Sequence, residues 1–267
     1  MVIRQAGLFD SGYTAVTEIG GTHDSMMLDF GVWVLNPGER IINDEADRER
    51  AFLLLDGTAD FCFGTNVIRG SRFSVLDDGP WAIHAAAGST IEIRAISRCE
   101  FAVEKSACTT MFPTRVYGPE ESRSQRFGEG TMQETSTRTV RTIFDAATHE
   151  ESGMVLGEVI NHPGKWSSYP PHSHAHPEIY HYRFFPEQGF GFSQTGDEVS
   201  RVTNRDTVTI PGGVVHPQTA APGYAMFYVW MIPHLPKDRF GPDSRVFDKQ
   251  HSWVMDPEAT IWPDAQP

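Results

Sequence analysis

Residues 164–183 read GKWSSYPPHSHAHPEIYHYR, and this stretch decides how the chain is interpreted. Side chains two positions apart on a strand share a face, so His172 and His174 are predicted to present their imidazoles to the same side. Glu178 begins the next β-rich run and can turn back toward them. His176 has the same parity, but a proline follows it and breaks the strand, so we expect His176 to lie outside the group.

A second segment supplies another histidine. Residues 211–216 read PGGVVH, in which a proline and two glycines predict a tight turn that ends at His216. Three imidazoles and one carboxylate suit a divalent first-row metal ion and leave positions open for water or substrate. We therefore predict one metal ion (Zn, Mn, Fe, Ni or Co) bound by His172, His174, Glu178 and His216. A polar cluster without metal is the alternative interpretation.

The composition around these motifs favours strands. Glycine (24) and proline (18) together make up 42 of 267 residues, or about one in six, and turn signals recur at strand spacing. Asp56-Gly57, for example, is predicted as a hairpin turn between strands at 50–55 and 58–63. No helical pattern of convincing length interrupts the series, so the sequence predicts an all-β sandwich or barrel.

The strand-rich pattern divides into two halves. Residues 117–138 are polar and are predicted to be a linker or surface loop, which gives a first domain at 1–116 and a second at 139–267. The first domain has no HxHxxxE pattern and contains only His84 between residues 30 and 88. We expect it to lack a metal and to support the second domain by packing.

Charge and hydropathy exclude several classes of partner. The net charge is −13, from 35 acidic and 22 basic residues, which argues against nucleic acid and anionic membrane surfaces. The longest apolar run, 224–232, has nine residues, whereas a membrane-spanning helix needs roughly 20. The amino terminus has no apolar run typical of a signal peptide. With three cysteines and no CxxC pair, we expect a cytoplasmic protein with free thiols.

The joint pattern of the two motifs resembles the conserved motifs of the cupin superfamily. Longer stretches, WSSYPPHSH (166–174), PEIYHYRFFPEQGFG (177–191) and HPQTAAPGYAMFYVWM (216–231), resemble the 5-deoxy-glucuronate isomerase family of inositol catabolism. That family is related to the 5-keto-4-deoxyuronate isomerases. The sequence departs from it at Ala175, where the second histidine is often followed by an acid. The resemblance implies a bicupin, that is, two jelly-roll β-barrels in one chain.

The same resemblance implies a chemical activity. The expected reaction is a metal-dependent aldose–ketose isomerisation of 5-deoxy-D-glucuronate to 2-deoxy-5-keto-D-gluconate, so the expected partner is an acidic sugar. A homo-oligomer is compatible with the apolar faces of such barrels. Two other functions stay open at this stage: a cupin oxygenase that uses Fe(II), and a non-catalytic module that binds a sugar acid.

Other residues near the motif are candidates for proton transfer and substrate binding. Tyr180 and Tyr182 share the face of Glu178 and are candidate proton carriers, with aromatic filling of the barrel as the alternative. A hydroxide on the metal is an equally good candidate. Arg183 and Lys165 are candidate ligands of the substrate carboxylate, although parity places Arg183 on the opposite face from Tyr182. A surface ion pair is the alternative role for Arg183.

Overall fold

The structure, a computed structural model, describes residues 1–262. Within this range the regular secondary structure consists of β-strands and short 3₁₀ turns, which confirms the predicted all-β class. The helical segments of the described residues are four short 3₁₀ turns, Asp24–Met26, Met132–Glu134, Pro242–Ser244 and Ser252–Met255. No helix in the described range has the length and apolar character needed to span a membrane.

The first half of the chain contains ten strands in the described structure. They are β1 Val2–Ile3, β2 Gly12–Thr17, β3 Asp29–Leu35, β4 Arg40–Asn43, β5 Glu49–Phe63, β6 Asn66–Arg72, β7 Ala82–Ala85, β8 Ile91–Ala95, β9 Cys99–Ser106 and β10 Arg115–Tyr117. Strands β2 to β10 form a nine-stranded sheet with the main order β10-β7-β5-β9-β3-β2. Strands β6 and β8 pair with β5, and β4 pairs with β8.

Strand β5 shows that the hairpin predicted at Asp56-Gly57 is wrong. The strand runs through this dipeptide, and its register with β9 shifts between Leu54 and Asp56. Gly57 has a φ of +103°, and a Cβ there would lie 2.2 Å from the carbonyl oxygen of Arg98. The glycine therefore serves a β-bulge, which bends the strand without reversing it.

The second half contributes twelve strands as far as residue 262. They are β11 Arg123–Phe127, β12 Arg138–Phe144, β13 Met154–Asn161, β14 Trp166–Ser167, β15 His172–Ser173, β16 Glu178–Phe185, β17 Phe190–Thr195, β18 Glu198–Thr203, β19 Thr207–Ile210, β20 Gln218–Ala220, β21 Ala225–Pro233 and β22 Val246–Phe247. A seven-stranded sheet has the order β1-β19-β16-β21-β13-β12-β11. A four-stranded sheet has the order β14-β20-β17-β18, and β15 pairs with β22.

Two strands from outside residues 139–267 join the sheet of the second half. The segment 117–138, expected to be a linker or surface loop, contains β11, which pairs with β12 and extends the sheet of the second half. The amino-terminal strand β1 pairs with β19 and so also joins the second half. Strand β11 is exposed along its whole length, so it carries no apolar alternation by which its sequence would indicate a strand.

An apolar core joins the two halves. It contains Phe30 and Leu53 from the first half together with Leu156 and Met231 from the second, all of them buried. His84 lies at the same junction, where its ring stacks on Phe144 with centroids 4.0 Å apart. The two halves therefore pack against each other at this junction.

A buried ion pair crosses the same junction. The guanidinium of Arg72 donates two hydrogen bonds to the Glu158 carboxylate, at 2.7 and 3.0 Å, and both side chains are fully buried. Arg141 donates to the same carboxylate at 3.0 Å. Since one carboxylate serves two guanidinium groups, removal of its charge leaves the buried Arg72 cation without an anionic partner.

We expect Glu158→Gln to lower the free energy of unfolding by about 3–5 kcal/mol, because it strands the buried Arg72 charge. Urea unfolding followed by circular dichroism measures this loss. The matched control is Glu187→Gln, which removes an exposed carboxylate 3.1 Å from Arg205 and is expected to cost less than about 1 kcal/mol. Equal losses in the two variants would contradict the structural role of the buried pair.

Candidate functional site

Three of the predicted metal ligands converge in the second half. Within the described residues, one ligand atom each of His174, Glu178 and His216 lies within 4.8 Å of the others, and all three residues are buried. Glu178 Oε2 is 3.2 Å from Nε2 of His174 and 3.2 Å from Nε2 of His216. Residues from two separate stretches of the chain therefore meet around one carboxylate.

Backbone carbonyls orient the imidazoles. Nδ1 of His174 donates to the carbonyl of His176 at 2.9 Å, and Nδ1 of His216 donates to the carbonyl of Val214 at 2.8 Å. A carbonyl oxygen accepts only, so each Nδ1 carries the proton and, in the neutral ring, Nε2 keeps its lone pair. Such outer hydrogen bonds fix the tautomer that a metal ion requires.

The turn that carries His216 is docked against the segment that carries His174. The Gly213 amide donates to the His174 carbonyl at 2.6 Å. A Cβ at Gly212 would lie 2.0 Å from the carbonyl oxygen of Ala175, a separation that non-bonded atoms do not adopt. Glycine at this position therefore allows the two backbones to approach closely enough for the side chains to meet.

His172 lies beside this group, but its ligand atoms fall outside the 4.8 Å set. It sits on β15 opposite Phe247 of β22, and its ring centre is 5.1 Å from that of His216 and 6.4 Å from that of His174. Its Nδ1 donates to the Pro170 carbonyl at 3.2 Å. The structure therefore brings His172 to the site and leaves its role as a fourth ligand as a prediction.

The electrostatics of the group follow from burial and close contact. Burial raises the pKa of Glu178, but the imidazoles of His174 and His216 lower it by more, so its net pKa is below the ordinary value. Burial lowers the pKa of His216, whereas the Glu178 carboxylate raises it above its ordinary value overall. Burial and then the neighbouring His216 lower the pKa of His172 to about 3. The carboxylate is thus ionised and His172 is neutral, which are the ligand forms that bind metal.

One orphaned atom supports the fit of a metal ion. His216 Nε2 is buried and makes no hydrogen bond within the described structure, although it lies 3.2 Å from Glu178 Oε2. A buried polar atom without a partner is rare and needs an explanation. A cation between these side chains accounts for it, because imidazole nitrogen and carboxylate oxygen are donors that first-row metals accept.

His172, His174 and Glu178 line a cavity of about 600 Å³, a volume typical of small-molecule sites. Its wall includes Tyr180, Tyr228 and Trp230 from the seven-stranded sheet and Arg245 and Phe247 from the carboxy-terminal segment. The segment after residue 234 therefore supplies part of the cavity wall.

Comparison with known proteins places the chain in a family. The model of the KduI/IolB family matches residues 2–254. The chain belongs to this family. Curated relatives named 5-deoxy-glucuronate isomerase come from Geobacillus kaustophilus, 29% identical over 85% of each chain, and Bacillus licheniformis, 25% identical over 94% of this chain and 97% of the relative. The predicted resemblance is thereby confirmed, and the relatives are isomerases by name.

Solved structures support the fold. An IolB-like protein from Salmonella typhimurium LT2 is 24% identical and superposes with a TM-score of 0.81, covering 92% of this chain and 97% of that one. A cupin 2 conserved barrel domain protein from Leptotrichia buccalis is 10% identical and superposes with a TM-score of 0.54, covering 87% and 96%. This KduI/IolB chain therefore has a fold similar to that of cupin proteins.

Of the two candidate tyrosines, one lines the cavity and the other does not. Tyr180 lines the cavity, and its hydroxyl is 3.3 Å from Ser168 Oγ. The hydroxyl of Tyr182 donates to Gln218 Oε1 at 2.6 Å, and Tyr182 is not part of the cavity wall. The structure thus keeps only Tyr180 where a substrate can reach it, and Tyr182 fills the interior.

Tyr228 is a cavity residue that the sequence analysis missed. Its hydroxyl is 2.6 Å from Ser167 Oγ, and its ring centre is 4.7 Å from that of Tyr180. Burial raises the pKa of Tyr228 to about 12. The signal was the parity of the strand 225–233, on which Tyr228 and Trp230 share a face.

Neither candidate carboxylate ligand reaches the cavity. Arg183 is buried and donates to Glu100 of the first half and to His181 Nε2, so it serves the junction between the halves. Lys165 is half-buried, and its carbonyl accepts from the amide of Ala220 at 3.1 Å. It is not part of the cavity wall. The arginines that do line the cavity are Arg123, Arg138 and Arg245.

We expect Gly212→Ala to weaken binding of a divalent metal about 10- to 100-fold, the usual cost of disturbing the support of a metal ligand. The added methyl group displaces the turn from Ala175 and moves His216 away from Glu178. Titration of the metal-free protein with Zn²⁺ in competition with a chelator measures the affinity.

Gly241→Ala is the matched control for this variant. Gly241 also lines the cavity, and a Cβ there would meet no atom within 4 Å. We expect its metal affinity to stay unchanged. Equal affinities in the two variants would show that the close approach at Gly212 does not position the ligand.

Proposed function

We propose that this chain is a metal-dependent aldose–ketose isomerase that converts 5-deoxy-D-glucuronate to 2-deoxy-5-keto-D-gluconate in myo-inositol catabolism. The observation that carries the proposal is the buried convergence of His174, Glu178 and His216, of which His174 and Glu178 line a cavity of about 600 Å³. The chain belongs to a family with curated relatives named 5-deoxy-glucuronate isomerase. These relatives match this chain over most of their own length. Their name supplies the substrate in this proposal.

The metal would be held by His174, Glu178 and His216, with His172 as the fourth ligand. When bound, such an ion acts as a Lewis acid that polarises the carbonyl and hydroxyl oxygens of the sugar. The donor set suits Zn, Mn, Fe, Ni or Co. The imidazoles add no charge, so Glu178 is the one anion among the proposed ligands and leaves the site electropositive toward substrate oxygens.

The reaction moves protons only. A proton leaves the carbinol carbon and returns to the neighbouring carbonyl carbon, while the hydroxyl proton passes to the other oxygen, so no oxidant is needed. We propose that Tyr180 holds a proton beside these atoms. Burial raises the pKa of Tyr180 well above its ordinary value, so its phenol stays protonated and acts as a hydrogen-bond donor.

We also propose that the two halves are jelly-roll barrels, which gives the chain a bicupin architecture. Two features support this. The bulged strand β5 pairs with β7 and β9 before the bend and with β6 and β8 after it, and a separate apolar cluster that includes Phe52, Phe61 and Phe101 fills the first half.

The activity is tested by incubation of the metal-loaded protein with 5-deoxy-D-glucuronate in heavy water. We expect NMR spectroscopy to show 2-deoxy-5-keto-D-gluconate, with exchange of the proton on the carbon beside the carbonyl. An enzyme that isomerises by proton transfer consumes no oxygen, so an oxygen electrode should record no uptake. Oxygen uptake, or return of the sugar unchanged after long incubation, would contradict the proposal.

We expect His174→Ala to lose the bound metal and to lower isomerase turnover by at least about 10- to 100-fold. Loss of a residue that merely orients a metal ligand has an effect of this size, and loss of a ligand should have at least as large an effect. Elemental analysis of the purified protein and the NMR assay measure the two effects. His176→Ala is the matched control, since the His176 ring donates to the Asp238 carbonyl at 2.7 Å. Its main-chain carbonyl, which orients His174, survives the substitution. Full metal content and turnover in His174→Ala would overturn the site assignment.

A further inference from the structure

Three guanidinium groups line the cavity, and they differ in their partners. Arg123 forms an ion pair with Asp145. Arg138 donates to the carbonyl and the hydroxyl of Ser136, at 2.8 and 2.9 Å, and meets no carboxylate within the described residues. Arg245 lies over the ring of Phe240, 5.4 Å from its centre, and has no acidic partner in the described part of the chain. Two of the three positive charges are therefore uncompensated.

The carboxylates of the cavity wall are already engaged. They are Asp145, which pairs with Arg123, and Glu178, which lies between two imidazoles. Burial lowers the pKa of Arg138, although the guanidinium keeps its charge at neutral pH. Two uncompensated cations that face one cavity in a protein of net charge −13 favour an anionic occupant.

The position of Arg245 relates this charge to the metal-ligand group. Arg245 directly precedes Val246, whose register partner is Ser173 of β15. The strand pair that places His172 at the site therefore also places Arg245. Arg138 approaches from a different direction, at the start of β12 in the seven-stranded sheet. Both arginines thus line the same cavity as His174 and Glu178.

We infer that Arg138 and Arg245 form the subsite that binds the carboxylate of an acidic sugar while the other end of the molecule reaches the His174–Glu178–His216 group. The inference rests on the proposed function for the reaction, but the charge selectivity that it requires is measurable without turnover. Planar guanidinium groups bind carboxylates through paired hydrogen bonds, whereas a neutral sugar offers no such acceptor.

The test compares D-glucuronate with D-glucose as probes of the metal-loaded protein, by isothermal titration calorimetry. We expect the wild type to bind glucuronate more tightly. Arg245→Met and Arg138→Met should each weaken glucuronate binding by about tenfold to hundredfold and leave glucose binding unchanged. The matched control is the double variant Arg123→Met/Asp145→Asn, which removes a balanced pair of the cavity wall and leaves its net charge unchanged, so it should keep the wild-type selectivity.

Kinetic and metal measurements separate this role from a general structural one. In both test variants the metal content should stay at the wild-type level, and KM for 5-deoxy-D-glucuronate should rise more than kcat falls. Arg245→Lys, which keeps the charge without the planar fork, should recover part of the affinity.

The outcomes distinguish the subsite from the reaction. If the wild type prefers glucuronate and the two variants lose that preference, but no sugar is isomerised, the subsite stands and the proposed function fails. Wild-type isomerisation of 5-deoxy-D-glucuronate with unchanged KM and selectivity in both variants would overturn the subsite. A wild type without preference for glucuronate over glucose would overturn it as well.

Discussion

The close backbone contact between the turn at 211–213 and the segment at 174–176 is the constraint on which the site depends. It brings His216 next to His174 and Glu178, which lie some 40 positions earlier in the sequence. The contact needs an amide that donates to the His174 carbonyl and a residue without a Cβ beside Ala175. Both requirements are properties of the backbone, so the convergence of the three side chains follows from how closely the two segments pack.

The rest of the structure holds these loops in place. Strand β16, which begins at Glu178, pairs on one side with β19, which leads into the turn, and on the other with β21. That sheet packs on the first half through a shared apolar core and the buried Arg72–Glu158 pair. Arg183 adds a further contact to Glu100 across the junction. The first half therefore contributes rigidity to a site that lies in the second half.

The sequence predicted the site better than its surroundings, and the reason is physical. Parity on a short strand and the turn signal of a proline with two glycines are local properties, so His174, Glu178 and His216 were identifiable. The bulge at Gly57 depends on a carbonyl that arrives from Arg98, which no local pattern reveals. The arginines of the cavity come from β12 and from the carboxy-terminal segment, far along the chain from the motif, and sequence proximity instead pointed to Arg183 and Lys165.

The most direct test of the central claim is an anomalous diffraction experiment on crystals of the full chain grown with Zn²⁺. The account predicts one anomalous peak per chain, at about 2.0–2.2 Å from Nε2 of His174, Nε2 of His216 and a carboxylate oxygen of Glu178. A map with no peak between these three side chains at saturating metal, or with the ion bound by other residues, would contradict it.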